Sequence, residues 1–412
     1  MASRGVEYGV SAMRATLARA RASADASTSE RKFLAAERLF ARPVERHEPP
    51  SRLGFRARGR FGVERDEFGS VRFYGVESAR GVVETSAETF TDGCFGARRA
   101  LASLAAALGR EDEHCARARA TVLAASVLAN RDGSEAVVAT THSVDGDFGE
   151  ESFRAFADVI MRENASVVGV VRRTRRRANA VAGRDGVRET MRLRTSRGER
   201  VVRLIHREGS FSNPNVDVAE QTGNFLCELC EALTENGTKR MRFIELYAGC
   251  GNHTVTVAPY FLDGAYAVEI DENLVEAARE NFALNGLDES VARVVCAPAE
   301  DWIRTSDATA MATRARDERN EHCHHTATVV LVDPPRKGLD RRTLDFITSS
   351  FDVVIYIACD YESMHRDVVD DEFGFSRRGF DLKRLAVFDH APTSARWIET
   401  VGLFVRASAA KM

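Results

Sequence analysis

No run of about eighteen consecutive apolar residues occurs in the 412-residue chain, and its mean hydropathy is negative, so a membrane role is set aside. Neither sign of charge dominates. The 58 Lys and Arg against 61 Asp and Glu leave a net charge of −3, which excludes the strongly basic signature of many nucleic-acid binders and directs attention to local clusters. A paired cysteine framework is also missing. The eight cysteines (94, 115, 227, 230, 250, 296, 323 and 359) are scattered, as thiols in a reducing compartment are, so disulfides are not expected. Only one CxxC occurs, Cys227 and Cys230 in NFLCELCEAL, with no second pair after it. Helical spacing reads it as packing, since a zinc or iron–sulfur site needs about four ligands. Cys323 in EHCHH lies in a polar segment between core elements and reads as a solvated loop, so no metal is expected. Internal repeats and long low-complexity tracts are absent too.

What is there divides in two. At this length two domains are expected, residues 1–208 and residues 209–412. The N-terminal stretch is rich in Arg, Ala and Ser, as transit peptides are, but Glu7, Asp25 and Glu30 interrupt it and no cleavage pattern follows. An amphipathic first helix is the other reading; a cytoplasmic location is expected, with organellar import as the alternative. GFRARGRFGVERDEFGSVRFYGVE then alternates like antiparallel strands, ARRALASLAAAL reads as a helix, and TVLAASVLA and EAVVATTHS alternate again. This half is an α+β module. Its arginine-dense part, residues 171–207, reads equally as a solvated face or a phosphate-contacting surface.

From residue 242 on, β-branched runs alternate with helical segments, the pattern of an α/β domain with a mainly parallel sheet of seven strands. RFIEL, AYAVEI, ARVVCA, TVVLVD and VVIYIAC are five strand candidates, and DENLVEAARENFALNG has the periodicity, acidic start and Asn-Gly stop of a helix. LKRLAVFDHA and TVGLFVR read as a terminal antiparallel pair on the sheet's edge.

FIELYAGCGNHTV joins a strand to a helix through a Gly-x-Gly turn, Gly249 and Gly251, which lets backbone approach a nucleoside closely. Glu269 ends the next strand, roughly twenty residues on, where a carboxylate takes ribose hydroxyls. AED at 299–301 stands where a side chain could meet an adenine edge. A third glycine for a diphosphate is missing, so the turn suits S-adenosylmethionine (SAM) better than a dinucleotide. VDPPRKGLD ends the fourth strand with Asp333, and Cys359 ends the fifth, so the two should share one crevice. A cysteine at the polar exit of a strand reads as a nucleophile rather than as core. The set suits methylation of a pyrimidine carbon: a thiolate adds at C6 to activate C5, and a base then removes the C5 proton. Glu399 in ARWIETVGLF, in the turn between the last two strands, is the candidate base; an exposed turn glutamate is the other reading of it.

These blocks resemble the RNA (uracil-5-)-methyltransferases, and among them the TrmA type, which acts on tRNA. EGSFSNPN resembles the family's Ser-Phe-x-Gln-x-Asn, ELYAGCGN its Glu-Leu-Tyr-Cys-Gly-x-Gly-Asn, DPPRKGLD is nearly unaltered, and FDHAPTSARWIETVGLF resembles the C-terminal stretch with its His-x-Glu base. FARPVERH and FRARGRFGV resemble the start of the family's RNA-binding domain. The resemblance implies a Rossmann-like SAM-dependent methyltransferase domain preceded by an α+β RNA-binding domain. It implies Cys359 as nucleophile and Glu399 as proton acceptor. SAM contacts are implied from Asn213, Tyr247, Asn252, Glu269 and Asp333, alongside Gly249 of the turn. The implied product is ribothymidine at the T-loop uridine of tRNA, position 54, made by a monomer. An rRNA substrate, an RNA cytosine-5 methyltransferase and a non-catalytic tRNA-binding or folding module are the alternatives. Three departures stand out: Cys359-Asp360-Tyr361 for Cys-Asn-Pro, Asn213 for glutamine, and Trp397-Ile398 in place of His-x before Glu399. An acid beside Cys359 would disfavour its thiolate.

Overall fold

The computed structural model describes residues 27–77, 81–143, 148–174, 177–311, 327–370, 372–394 and 397–407; Cys323 and the first twenty-six residues lie outside them. Helix α1 (Ser27–Phe40) and a three-residue strand, β1 (Glu45–His47), come first. The alternating segments then form a sheet of β2 (Arg58–Arg65), β3 (Val71–Glu77), β4 (Gly81–Glu84), β5 (Val122–Ala129), β6 (Ala136–His142), β7 (Val167–Thr174) and β8 (Arg177–Gly183), in the order β4-β3-β2-β5-β6-β7-β8. Helices α2 (Phe95–Leu108), α3 (Glu113–Thr121) and α4 (Glu150–Glu163) join the same core through Leu101, Leu104, Cys115, Ala118, Phe153 and Phe156. Only β6 and β7 pair in parallel, as the α4 crossover between them requires.

The arginine-dense region continues into an antiparallel ribbon, β9 (Gly186–Thr195) and β10 (Gly198–Arg207). Along β9, Val187, Met191 and Leu193 are buried while Arg188, Arg192 and Arg194 are exposed, the period-2 signature of a half-buried strand. Part of its charge is neutralised among the described residues. Glu208 pairs with Arg173, Glu135 with Arg184 and Arg188, Glu199 with Arg192 and Glu280 with Arg207. The region is therefore less of an open cationic face than its composition suggests.

The C-terminal half supplies helix α5 (Val216–Leu233), strand β11 (Met241–Leu246), helix α6 (Asn252–Val257), strand β12 (Ala265–Glu269), helix α7 (Glu272–Leu284) and strand β13 (Ala292–Cys296). Short helices α8 (Ala299–Trp302) and α9 (Ser306–Met311) precede β14 (Ala327–Val332), α10 (Arg341–Ser350), β15 (Val353–Ala358), α11 (Tyr361–Val369), β16 (Phe380–Phe388) and β17 (Glu399–Arg406). These seven strands are mainly parallel, and β17 runs antiparallel between β15 and β16. Side chains of β11 alternate between two cores. Phe243 packs with Phe225, Val255 and Ala278, while Ile244 packs with Phe33, Leu344 and Met364, so helices cover both faces. Cys227 and Cys230 are both buried on α5 and unbridged.

The expected edge pair is not the edge. Strand β1 adds an eighth strand outside β16, pairing in parallel from Glu45↔Ala386 to His47↔Phe388. A three-residue charged strand carries no hydrophobic period to read; contacts hold it, with His47 stacked on Phe388 at 4.3 Å and Glu45 bonded to Arg384 at 2.6 Å. Lys32 on α1 reaches Asp389 at 2.7 Å, both buried, and anchors the chain just beyond β16.

Candidate active site

Strand order reverses on either side of β11, between β12 and β14, and the crevice beyond the carboxyl ends of these strands is where α/β sheets hold ligands. A cavity of about 1030 Å³ opens there. The chain leaves β11 through Tyr247, Gly249 and Gly251, all at positive φ (65°, 56° and 76°). For tyrosine that conformation costs about 1–3 kcal/mol and marks a functional constraint. A Cβ on Gly249 would meet nothing within 4 Å, so its backbone faces open space; one on Gly251 would strike Phe282 at 2.6 Å. Glu269 holds the turn, its carboxylate accepting the N–H groups of Gly249 (2.8 Å), Ile270 (2.9 Å) and Asp271 (3.0 Å). Asn252, opening α6, leaves its Oδ1 buried without a partner. An open glycine, a fixed carboxylate and an orphaned acceptor on one wall fit the nucleoside and amino-acid ends of SAM.

Asp333 and Cys359 leave the paired strands β14 and β15 side by side. Burial pushes the Cys359 thiol up and the Asp333 carboxylate adds to that, while the Arg336 guanidinium, bonded to the thiol, pulls it down. Asp360 turns to cap α11 and accepts the amide of Glu362 at 2.9 Å.

Glu399 is the first residue of β17, not an exposed turn residue, and its side chain is 13% exposed. Its Oε1 lies 3.3 Å from His390 Nε2 and accepts the Thr222 hydroxyl at 3.1 Å. Burial alone would raise this carboxyl, but His390, His253 and Thr222 outweigh it and hold it below its usual range. Asp333 is raised, chiefly by burial, although His253 Nε2 stands 3.7 Å from its Oδ2. His253 is itself pushed up to about 9: burial opposes its charge, and Asp333 and Glu245 together overcome that. Glu245, fully buried on β11, accepts the Thr254 hydroxyl at 2.5 Å, and burial raises it to about 7.

All eight residues singled out in the sequence (Asn213, Tyr247, Gly249, Asn252, Glu269, Asp333, Cys359 and Glu399) line this one cavity, as does Glu300 of the AED segment. Asn213 turns its amide N–H to His390 Nε2 at 3.4 Å while its Oδ1 accepts the Asn215 amide at 3.0 Å. The sequence reading assigned no role to His253, His390 or Thr222, and showed Trp397 only as a departure before Glu399. Trp397, where a histidine was expected, lies under the guanidiniums of Arg56 and Arg336, each 5.4 Å from its ring centroid. His390 stands inside a segment already quoted, but only the strand register brings it to Glu399. Among the described residues no cluster of three or more His, Cys, Asp or Glu could hold a metal, and no helix is long and apolar enough to cross a membrane.

A family model described as tRNA (Uracil-5-)-methyltransferase matches residues 110–407. The tRNA/tmRNA (uracil-C(5))-methyltransferase of a Nitratiruptor species is 31% identical over 198 residues, 45% of this chain and 47% of that protein. The protein of the same name from Dechloromonas aromatica is 31% identical over 225 residues, 55% of this chain and 56% of that one. The chain thus spans about half the length of these curated relatives. Pyrococcus abyssi tRNA (uracil-54, C5)-methyltransferase, solved in complex with S-adenosyl-L-homocysteine, superposes with a TM-score of 0.63 at 17% identity, covering 92% of this chain and 83% of that one, a likeness of fold.

Proposed function

This chain belongs to the tRNA (uracil-5-)-methyltransferase family, and from that premise we propose that it transfers a methyl group from SAM to C5 of a uridine in tRNA, the T-loop uridine at position 54, through a covalent adduct on Cys359. The observation that carries this reading is the opening of Cys359 and Glu399 onto the same cavity as the cradle formed by Gly249, Asn252 and Glu269. In this reading residues 1–208 form the RNA-binding domain and residues 209–412 the catalytic domain, with α1 and β1 docked onto the catalytic sheet. The seven described cysteines are all unbridged, which supports work in a reducing, cytoplasmic compartment, and the enzyme acts as a monomer.

The C5 atom of uracil is a weak nucleophile. The Cys359 thiolate adds to C6, forming the C–S bond and turning the C5–C4–O4 unit into an enolate, with Arg336 as the cation beside the sulfur. When bound against Gly249, Asn252 and Glu269, SAM supplies an electrophilic methyl group. Glu399, kept ionised by its imidazole neighbours, removes the remaining proton from C5, and elimination releases Cys359. Uridine reaches the thiol only after leaving its stack, as bases do in enzymes that react on them. Arg56, Arg58 and Arg60 succeed one another on β2 and the segment before it, and Arg58 bonds Ser212 at 2.9 Å on the cavity wall. This puts cationic side chains near the mouth for the flanking phosphates.

Labelled SAM and tRNA transcripts with single T-loop uridines replaced test the reading. Wild type should label every transcript except the one lacking the target, Cys359→Ala none, and Glu399→Gln should hold RNA in a covalent adduct. Methylation by Cys359→Ala would overturn the mechanism.

A further inference from the structure

The resemblance places a histidine two residues before the base, and Trp397 stands there instead. The structure brings an imidazole to the same carboxylate from elsewhere, with His390 Nε2 3.3 Å from Glu399 Oε1. We propose that His390 is the second station for the C5 proton, taking it from Glu399 so that the carboxylate is restored within each turnover. This inference rests on the reaction proposed above for Cys359 and Glu399.

His390 is held for such a role. It is 6% exposed, and its carbonyl accepts the Asn215 side-chain amide at 3.0 Å. Lys32 grips the residues on both sides, bonding Asp389 Oδ1 at 2.7 Å and the Ala391 carbonyl at 2.8 Å. The backbone that carries the ring is therefore held in place independently of the reaction. Nε2 is the ring nitrogen that faces the base: it stands 3.3 Å from Glu399 Oε1 and 3.4 Å from the Asn213 side-chain amide.

The other neighbours of Glu399 cannot do this. The Thr222 hydroxyl donates to the carboxylate and has no capacity for a second stable proton. His253, held charged beside Asp333 and Glu245, is already protonated near neutral pH. Burial opposes the charge of the restored carboxylate, and the imidazolium formed on His390 is the largest of the groups that hold it below its usual range.

The step balances. The C5–H electron pair becomes the C5–C6 π bond as the C6–S bond breaks with its pair to Cys359 Sγ. The proton passes to the Glu399 carboxylate and then to His390 Nε2, giving an imidazolium and a restored carboxylate. Nδ1 of His390 is buried without a partner, so the imidazolium is stabilised on one edge only and yields its proton to water when the product leaves.

The experiment uses the full-length enzyme, SAM and a tRNA transcript carrying uridine tritiated at C5, with methyl transfer, tritium release and covalent adduct read at successive times. For His390→Gln the first-turnover methyl transfer should match wild type, while tritium release slows about tenfold or more and the adduct accumulates. Free imidazole should restore release in His390→Gly, which keeps the test decisive if the Gln variant folds poorly. Equal slowing of both steps with no imidazole rescue, or tritium release at the wild-type rate, would overturn the proposal. If Glu399→Gln traps adduct while His390→Gln does not, the relay fails and the reaction stands. If Cys359→Ala still methylates, the reaction itself fails.

Discussion

Asp360 is the chain neighbour of Cys359, yet its carboxylate closes the N-terminus of α11 by accepting the Glu362 amide at 2.9 Å. The acids that act on the thiol, after burial, are Asp333 and Glu399, which come from other strands. Asp360→Ala should therefore cost about 1 kcal/mol of stability through loss of the cap and leave the pH midpoint of Cys359 alkylation in place. Asp333→Asn should lower that midpoint by removing a negative charge from beside the thiolate. Iodoacetamide rates against pH, in a background with Cys296 and Cys323 replaced by serine, measure both. An equal shift from the two variants would contradict the assignment.

The two glycines of the cofactor turn should fail differently when replaced. Gly249→Ala places a methyl group in open space at φ +56°, so the backbone penalty is about 1–2 kcal/mol while the methyl projects into the cradle. Gly251→Ala drives a Cβ toward Phe282 at 2.6 Å and adds overpacking of about 1–3 kcal/mol to the same backbone penalty. Calorimetric titration with S-adenosylhomocysteine should show the larger affinity loss for Gly249→Ala. Urea denaturation should show the larger stability loss for Gly251→Ala.

The parts of the fold legible in the sequence are those whose cause is local. TVVLVD and VVIYIAC announce strands because a sheet covered on both faces asks for unbroken β-branched runs, and DENLVEAARENFALNG announces a helix by its Asp271 cap and its period. Strand β1 was illegible because ERH has no hydrophobic period; parallel pairing with β16 and the stack of His47 on Phe388 make it a strand. His390 was illegible for a related reason. Nine positions separate it from Glu399, and only the Phe388↔Glu399 register places the two side by side. Asp333 and Cys359 were easier, since consecutive parallel strands carry their final residues to one edge.

Arg60 is exposed on β2, and Arg58 beside it is lowered to about 10, by burial first and then by repulsion from Arg60, Arg173 and Arg56. Cations that repel one another suit a site that a polyanion occupies. Arg60→Ala should reduce the slope of log affinity for tRNA against log salt by about 0.7–0.9. Arg192→Ala should leave the slope unchanged, because Glu199 already neutralises Arg192 at 2.9 Å. Filter binding between 50 and 200 mM salt, roughly the range over which phosphate contacts change affinity most visibly, compares the two.

Lys32 and Asp389 form a buried pair, 4% and 0% exposed, joining α1 to the segment that carries His390. Asp389→Ala strands a buried ammonium and should cost about 3–5 kcal/mol, whereas Lys32→Met combined with Asp389→Leu should recover much of that loss. Urea midpoints of the single and double variants decide whether the pair is coupled. Additive losses would mean that it is not.

His253 gives the fold a pH dependence whose sign follows from its surroundings. Asp333, 3.7 Å away, Glu245 beneath it and Glu399 across the cavity together outweigh burial and raise its pKa to about 9, against about 6.5 in an unfolded chain. A histidine raised in the folded state contributes stability that is fully present below pH about 6.5 and is lost as pH rises through about 9. Glu245, raised to about 7, also loses stability as pH rises, but between about 4.3 and 7, below this window. Between pH 7 and pH 9.5, wild type should therefore lose about 1–3 kcal/mol more than His253→Gln in urea denaturation. The variant should start lower at pH 7 and change less. Parallel loss in both proteins would show that His253 is not the group that titrates.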